Sequence, residues 1–275
     1  MGAIFLIGVF DSGIGGLSVL KALRDDMPHE DFVYLADSGH APYGERDTAH
    51  VLARSKAVAA YLVHQNVSAL VIACNTATAA AVTLLRSAYP GLPIVGVEPA
   101  LKPAVALSKT GRIGLLATRS TLESARFKAL LDAQAGLATF VLQACDGLAD
   151  AIERSASTGD ATEIIAACAR HTKAMGLFGS ENGGIDTLVL GCTHYPFAAA
   201  QLHALLGPEV QLVDNAEAVA RQTRRLLAPL QTNNSNGHAP RQGQVSLFST
   251  GRPQTLEAAA KRWLDLKVTA RPLFL

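Results

Sequence analysis

Ala69-Leu70-Val71-Ile72-Ala73-Cys74-Asn75-Thr76-Ala77-Thr78 is written a second time, little changed, as Thr187-Leu188-Val189-Leu190-Gly191-Cys192-Thr193-His194-Tyr195-Pro196. Each copy is a short apolar, β-branched-rich run, then a small residue, a cysteine and two polar residues. A helix-forming stretch follows in both cases, Ala79 to Arg86 and Phe197 to Leu206. A run of this length and composition reads as a buried strand, and the helical spacing behind it puts the cysteine in the connecting turn. The first N–H groups of a helix have no partner within it, so they are expected to point back at the sulfur. Two such units predict two similar lobes, each presenting one thiol. Thiols facing each other across a cleft suit the handling of one proton on opposite faces of a small substrate.

Ahead of the first unit, Ile4 to Phe10 reads as a buried strand running into Asp11-Ser12-Gly13-Ile14-Gly15-Gly16, with Leu17 to Leu23 at helical spacing behind it. Glycines between a strand and a helix let the backbone turn sharply and come close to a ligand. The spacing is neither G-x-G-x-x-G nor that of a phosphate loop ending in Gly-Lys. A helix N-terminus serves a carboxylate as well as a phosphate, so a small acid is as plausible a ligand. Asp31 to Ala36 is a second strand, emptying into Asp37-Ser38-Gly39-His40-Ala41-Pro42-Tyr43-Gly44. The Pro42-Tyr43-Gly44 turn stands at the carboxyl end of a strand, where open α/β sheets bind ligands. It reads equally well as a plain surface turn. Thr48 to Gln65 is a long amphipathic helix, and Pro93 to Val97 a further strand.

The second half opens like the first. Ile113-Gly114-Leu115-Leu116-Ala117-Thr118 echoes Ile7-Gly8-Val9-Phe10-Asp11-Ser12, with a helix over Leu122 to Leu131 behind it. We read this as an internal duplication. Strands follow at Ala138 to Gln143, Val210 to Val213 and Gln244 to Ser249. Helices are expected from Leu148 to Arg154 (carrying Glu153), Ala161 to Met175, Ala216 to Leu227 and Thr255 to Leu264, and Gln231 to Gln244 is a polar surface loop. Strands alternating with helices predict an α/β protein of two similar lobes, each a mostly parallel sheet flanked by helices. Residues 1–98 with 211–275 should form the first lobe, carrying Cys74, and residues 99–210 the second, carrying Cys192.

Composition narrows the class of function. Of 275 residues, 49% are apolar and 17% charged, which is globular and not disordered. A net charge of +1 gives no reason to expect a nucleic-acid partner. The four cysteines, at 74, 145, 168 and 192, are too few and too scattered for a disulfide scaffold, so free thiols in a reducing cytoplasm are expected. Gly2 to Phe10 lacks a basic segment and runs straight into a polar turn, so it reads as a first strand and not a signal peptide or membrane span.

Cys145 and Cys168 read as packed small hydrophobes, the ordinary fate of a free cysteine. Cys74 and Cys192 sit at strand-to-helix junctions, where free N–H groups and the helix dipole are expected to favour the thiolate. His194, two residues beyond Cys192, could set its protonation state. No C-x-x-C is present, and Cys192-Thr193-His194 lacks the further ligands of a metal site, so no metal is expected. A Cys–His pair for acyl transfer stays open, although it leaves the second copy of the motif unexplained.

Val9-Phe10-Asp11-Ser12-Gly13-Ile14-Gly15-Gly16-Leu17-Ser18-Val19-Leu20, Ala41-Pro42-Tyr43-Gly44, Ala73-Cys74-Asn75-Thr76-Ala77 and Leu190-Gly191-Cys192-Thr193-His194-Tyr195-Pro196 together resemble the glutamate racemases. These belong to the cofactor-independent aspartate/glutamate racemase superfamily. The resemblance runs from residue 7 to about residue 264. It implies two lobes related by a pseudo-twofold axis with the active site between them, and D-glutamate production for the bacterial cell wall. It also implies glutamate as substrate, no cofactor, and pairing into homodimers, which is frequent in the family. By the resemblance, Cys74 and Cys192 are the two acid/base thiols, Asp11 assists Cys74, and Glu153 and His194 assist Cys192. Asp11, Ser12, Pro42, Tyr43, Gly44, Asn75, Thr76, Thr118, Thr193 and His194 would hold the substrate. Two other readings stay beside it, an aspartate racemase of the same superfamily and a non-catalytic sensor of an acidic ligand.

Overall fold

The computed structural model describes residues 4–181, 183–230 and 241–275. Most of the polar loop expected over Gln231 to Gln244 lies outside the described residues. The first sheet has six strands, in the order β10-β9-β2-β1-β3-β4. They are β1 (Leu6–Asp11), β2 (Asp31–Ala36), β3 (Ala69–Ile72), β4 (Ile94–Gly96), β9 (Val245–Ser249) and β10 (Ala270–Pro272). The second sheet has four, in the order β6-β5-β7-β8. These are β5 (Arg112–Ala117), β6 (Thr139–Ala144), β7 (Thr187–Gly191) and β8 (Gln211–Val213). Every described ladder is parallel. That follows from the sequence, since strands covered by helices on both faces read as unbroken apolar runs.

The two lobes repeat one device. In each, the chain lays its second strand on one side of the first and its third on the other, so β1 sits between β2 and β3, and β5 between β6 and β7. At such a reversal the carboxyl ends of neighbouring strands open a crevice. The register brings Phe10 opposite Ile72 and Leu116 opposite Leu190, so Asp11-Ser12 lies beside Cys74 and Thr118 beside Cys192. Side chains alternate between the two faces of each sheet. Leu70, Ile72 and Cys74 fall in one apolar cluster, while Ala69, Val71 and Ala73 fall in another. Leu188, Leu190 and Cys192 form the matching row in the second lobe. Both sulfurs therefore extend a buried row past the end of its strand.

Helices cover these faces. Against the first sheet lie α1 (Leu17–Asp26), α2 (Thr48–His64), α3 (Asn75–Ala88), α10 (Ala216–Leu227) and α11 (Pro253–Leu264). The second half carries α4 (Leu101–Leu107), α5 (Arg119–Glu123), α6 (Ala125–Asp132), α7 (Leu148–Thr158), α8 (Thr162–Met175) and α9 (Ala199–Leu206). Among the described residues no helix is long and apolar enough to cross a membrane. Lobe joins lobe away from the crevice where Trp263 of α11 stacks on Phe197 with ring centroids 4.0 Å apart and Arg262 donates to the Ser155 carbonyl at 2.7 Å.

Several expected boundaries move. The helix after Cys74 begins at Asn75 and not Ala79, because the cysteine itself is its N-cap. The helix expected over Leu122 to Leu131 is two helices, broken at Ser124, whose hydroxyl caps the second by accepting from Phe127 N–H. Behind Cys192 a 3-10 turn over Tyr195–Ala198, with Pro196 in its first turn, precedes α9. The division expected at residue 210 assigns β8 to the first lobe, but β8 is laddered to β7 and so extends the second sheet to Val213.

Candidate active site

A cavity of about 170 Å³ opens where the carboxyl ends of the two sheets meet, and both Cys74 and Cys192 line it. The volume is below the 300–1,000 Å³ common for drug-sized ligands and fits a small metabolite. Ser12, Tyr43, Gly44, Asn75 and Thr76 approach from the first lobe, and Thr118, Glu153, Thr193 and His194 from the second. No lysine or arginine is among the lining residues. Apart from His194, an anionic ligand is therefore met by hydroxyls, amides and backbone N–H groups. Asn75 supplies one buried group with no protein partner, its Oδ1.

Cys74 sits at the start of α3, and Ala77 N–H donates to its sulfur at 3.4 Å. The helix dipole alone favours the thiolate there. Burial outweighs it, aided by the charge on Asp11, and the thiol is pushed well above its ordinary pKa. The expected lowering at this cysteine does not occur: a whole helix terminus contributes about half a unit charge, while removing water costs the thiolate its entire hydration.

Cys192 has a different environment. The turn behind it gives its N–H to backbone, with Tyr195 N–H on the Cys192 carbonyl, and the partner of the sulfur is His194 Nδ1 at 3.7 Å. The expectation of helix N–H groups aimed at this second sulfur is corrected accordingly, since Pro196 in the first turn carries no N–H to offer. The other ring nitrogen, Nε2, lies 2.8 Å from Glu153 Oε1. Burial works against a charge on His194, but its hydrogen bonds to Cys192 and Glu153, and the charges of both, hold it well above the usual histidine value. The result is a chain of carboxylate, imidazolium and sulfur.

Asp11 stands behind this surface and does not line the cavity. Its carboxylate accepts from Ser12 N–H at 2.8 Å, Gly16 N–H at 2.5 Å and, across the lobes, the Thr193 hydroxyl at 3.2 Å. Burial raises its pKa, opposed by the His194 charge and these N–H donors. Thr76 and Thr118 place their hydroxyls 3.1 Å apart across the crevice. Thr118 is also the N-cap of α5. The Tyr43 hydroxyl turns away and donates to Asp37 at 2.5 Å, so that residue offers ring and backbone to the cavity. Among the described residues no group of three or more His, Cys, Asp or Glu is arranged to hold a metal ion.

Two inward cysteines on matching strands, one per sheet, are what a paired-thiol racemase requires, and the sequence agrees. A family model described as Asp/Glu/Hydantoin racemase matches residues 17–223. The chain belongs to that racemase family. It is 49% identical over 222 residues to the glutamate racemase of Ectopseudomonas mendocina, a match covering 80% of this chain and 81% of that protein. A crystal structure of a Bacillus anthracis glutamate racemase is similar at TM-score 0.83 and 29% identity, with 98% of each chain covered. The Escherichia coli glutamate racemase, solved in complex with L-glutamate and the activator UDP-MurNAc-Ala, is similar at TM-score 0.85 and 28% identity. That match covers 99% of this chain and 100% of the other.

The racemase fold brings the residues named from sequence into one place, Pro42 included, with Asp11 alone set behind the lining. Sequence reading missed Cys145, Asp146, Gly147 and Asp150, which line the cavity between β6 and the first turn of α7. Cys145 is buried as expected, yet it borders the site and not the interior alone. A signal for this segment was present. If the halves are duplicates, the loop after β6 corresponds to the loop after β2, which carries Pro42-Tyr43-Gly44.

Proposed function

We propose that this chain interconverts L- and D-glutamate by moving the α-proton between two thiols, Cys74 and Cys192, on opposite sides of the substrate. The family works without a cofactor and its D-glutamate goes to peptidoglycan, which is the role read for this chain. One observation carries the mechanism: sulfurs from two different lobes line a single cavity sized for one small molecule. The protonation pattern agrees with it. Burial keeps the proton on Cys74, while Cys192 faces the His194 imidazolium. That arrangement puts a protonated thiol on one flank and a sulfur beside a cationic partner on the other. Cys192 takes the α-proton of one enantiomer, leaving the electron pair of the broken C–H bond on the α-carbon, and Cys74 then delivers its own proton to the opposite face to form the new C–H bond. The reverse protonation state serves the other enantiomer.

An amino-acid α-proton is a very weak acid, so the bases alone do not suffice. Charge building on the α-carbon and its carboxylate needs fixed donors in a site that excludes water. The Ser12 and Thr76 hydroxyls and the N–H groups opening α3 are those donors in this reading, while Thr118 and Thr193, whose hydrogens go to Thr121 and Asp11, offer oxygen acceptors. Asn75 Oδ1, buried and unpartnered, is the acceptor for the substrate ammonium. Asp11 orders the Ser12 and Thr193 side of the site from behind. Glu153 acts through His194.

Incubating either enantiomer in D₂O should yield product carrying solvent deuterium at the α-carbon. Inversion without exchange rules out the two-thiol scheme, and binding without inversion makes the chain a sensor.

A further inference from the structure

Gly13 and Gly15 are glycines for a reason their own backbone does not supply. Neither has a φ in the left-handed region, so any residue could adopt the local conformation. What a side chain would meet is the other lobe. A Cβ on Gly13 would lie 1.8 Å from Glu153 Oε1. One on Gly15 would lie 2.3 Å from His194 Nδ1, 2.6 Å from its Cε1 and 2.7 Å from its Cγ. Between these two positions, Ile14 N–H donates to Glu153 Oε1 at 2.7 Å. One turn further on, the Ser18 hydroxyl lies 2.9 Å from both the Gly15 carbonyl of its own turn and the Thr193 carbonyl of the other lobe. A first-lobe turn is thus moulded on the two second-lobe residues that stand behind Cys192.

We propose that the Gly13–Gly15 turn is a positioning element for the opposite lobe, setting the His194 ring against Cys192 and holding Glu153 on the ring's far nitrogen. The Cys192 flank is then competent only when the lobes are together, whereas Cys74 takes its hydrogen bond from its own helix. The proposal rests on the two-thiol reading above and deepens it. The two glycines differ in stringency. Glu153 is a flexible side chain whose end can shift from a methyl on residue 13. The His194 ring is rigid and buried, and a methyl on residue 15 must displace it whole.

The test uses the reaction's symmetry. Enantiomers have equal free energy, so damage to either thiol lowers kcat/KM by the same factor in both directions. Primary isotope effects separate the two flanks. Gly15→Ala should lower kcat/KM about 100-fold, the cost of displacing a catalytic group by roughly an ångström. The step at Cys192 then limits both directions. For one enantiomer that step removes the α-deuteron, and its isotope effect rises; for the other it is the return of a solvent proton, and the isotope effect falls. In parallel, Gly13→Ala and Glu153→Asp should each slow the enzyme, and the double variant should recover at least tenfold, since the shorter carboxylate makes room for the methyl. This second series carries the test if Gly15→Ala does not fold. Isotope effects that move alike for both enantiomers, or additive losses in the Gly13/Glu153 series, overturn the proposal alone. A wild type without solvent exchange overturns the two-thiol reading and this proposal with it.

Discussion

Replacing Arg54 by alanine should destabilise the protein by about 3–5 kcal/mol, although the residue is remote from both thiols. Asp37 is fully buried at the carboxyl end of β2, and Arg54 of α2 grips it with two hydrogen bonds, Nε at 2.9 Å and Nη2 at 2.8 Å. Thr250 and Tyr43 donate to the same carboxylate at 2.7 and 2.5 Å. Removing the guanidinium leaves a buried charge facing two hydroxyls and the ring of His40, whose Nδ1 lies 3.1 Å away. For a chain of this size such a loss lowers the melting temperature by on the order of 10 °C. The sign with pH follows from the wild-type carboxyl. Burial opposes its ionisation, but the Arg54, Tyr43 and Thr250 hydrogen bonds prevail and hold it below 3.8. Its contribution is therefore present above the unfolded value and lost as pH falls through the folded one. Without Arg54, burial dominates and the carboxyl titrates higher, so the deficit is largest near neutrality and narrows toward pH 4. Urea melts at pH 7 and pH 4.5, repeated with Asp37→Asn in the same background, measure this. Recovery in the double variant is expected because the stranded charge is gone. A loss under about 1 kcal/mol at pH 7, or no recovery, would refute the reasoning. Because Tyr43 hangs on the same carboxylate, KM for glutamate should rise more than kcat falls.

Cys74→Ser should lower turnover by about 10³-fold or more while calorimetry finds glutamate affinity nearly unchanged, since a hydroxyl is a far weaker acid than a thiol but of similar size. Affinity lost together with turnover would make Cys74 a binding residue. Glu153→Gln should move the alkaline limb of the pH–rate profile downward, because the carboxylate helps hold His194 above its usual value. The same variant should lose stability mostly at low pH. A raised histidine contributes fully below its unfolded value near 6.5, and that contribution fades as pH climbs through the folded one. An unmoved alkaline limb would mean that Glu153 serves only to tie the lobes.

Much of this protein is carried by local sequence. Leu70-Val71-Ile72 and Leu188-Val189-Leu190 announce buried parallel strands, and the residues behind them announce turns and helices, because strand and helix periods are read within a few residues. The repeated cysteine unit, and with it the two lobes, was legible for the same reason, whereas the racemase family was legible through the resemblance of four short motifs. What tertiary structure alone decided concerns groups far apart in the chain. Burial of Cys74 reverses the effect expected of its helix, because desolvation is counted over atoms supplied by distant segments. Asp11 falls behind Ser12, and Cys145 and Asp146 reach the cavity, because strand order determines which loops are neighbours. Gly13 packs against Glu153 and Ile14 bonds to it from 139 positions away along the chain, and no local pattern could have paired them. Periodicity is a property of a segment, whereas proximity and dielectric are properties of the assembled molecule.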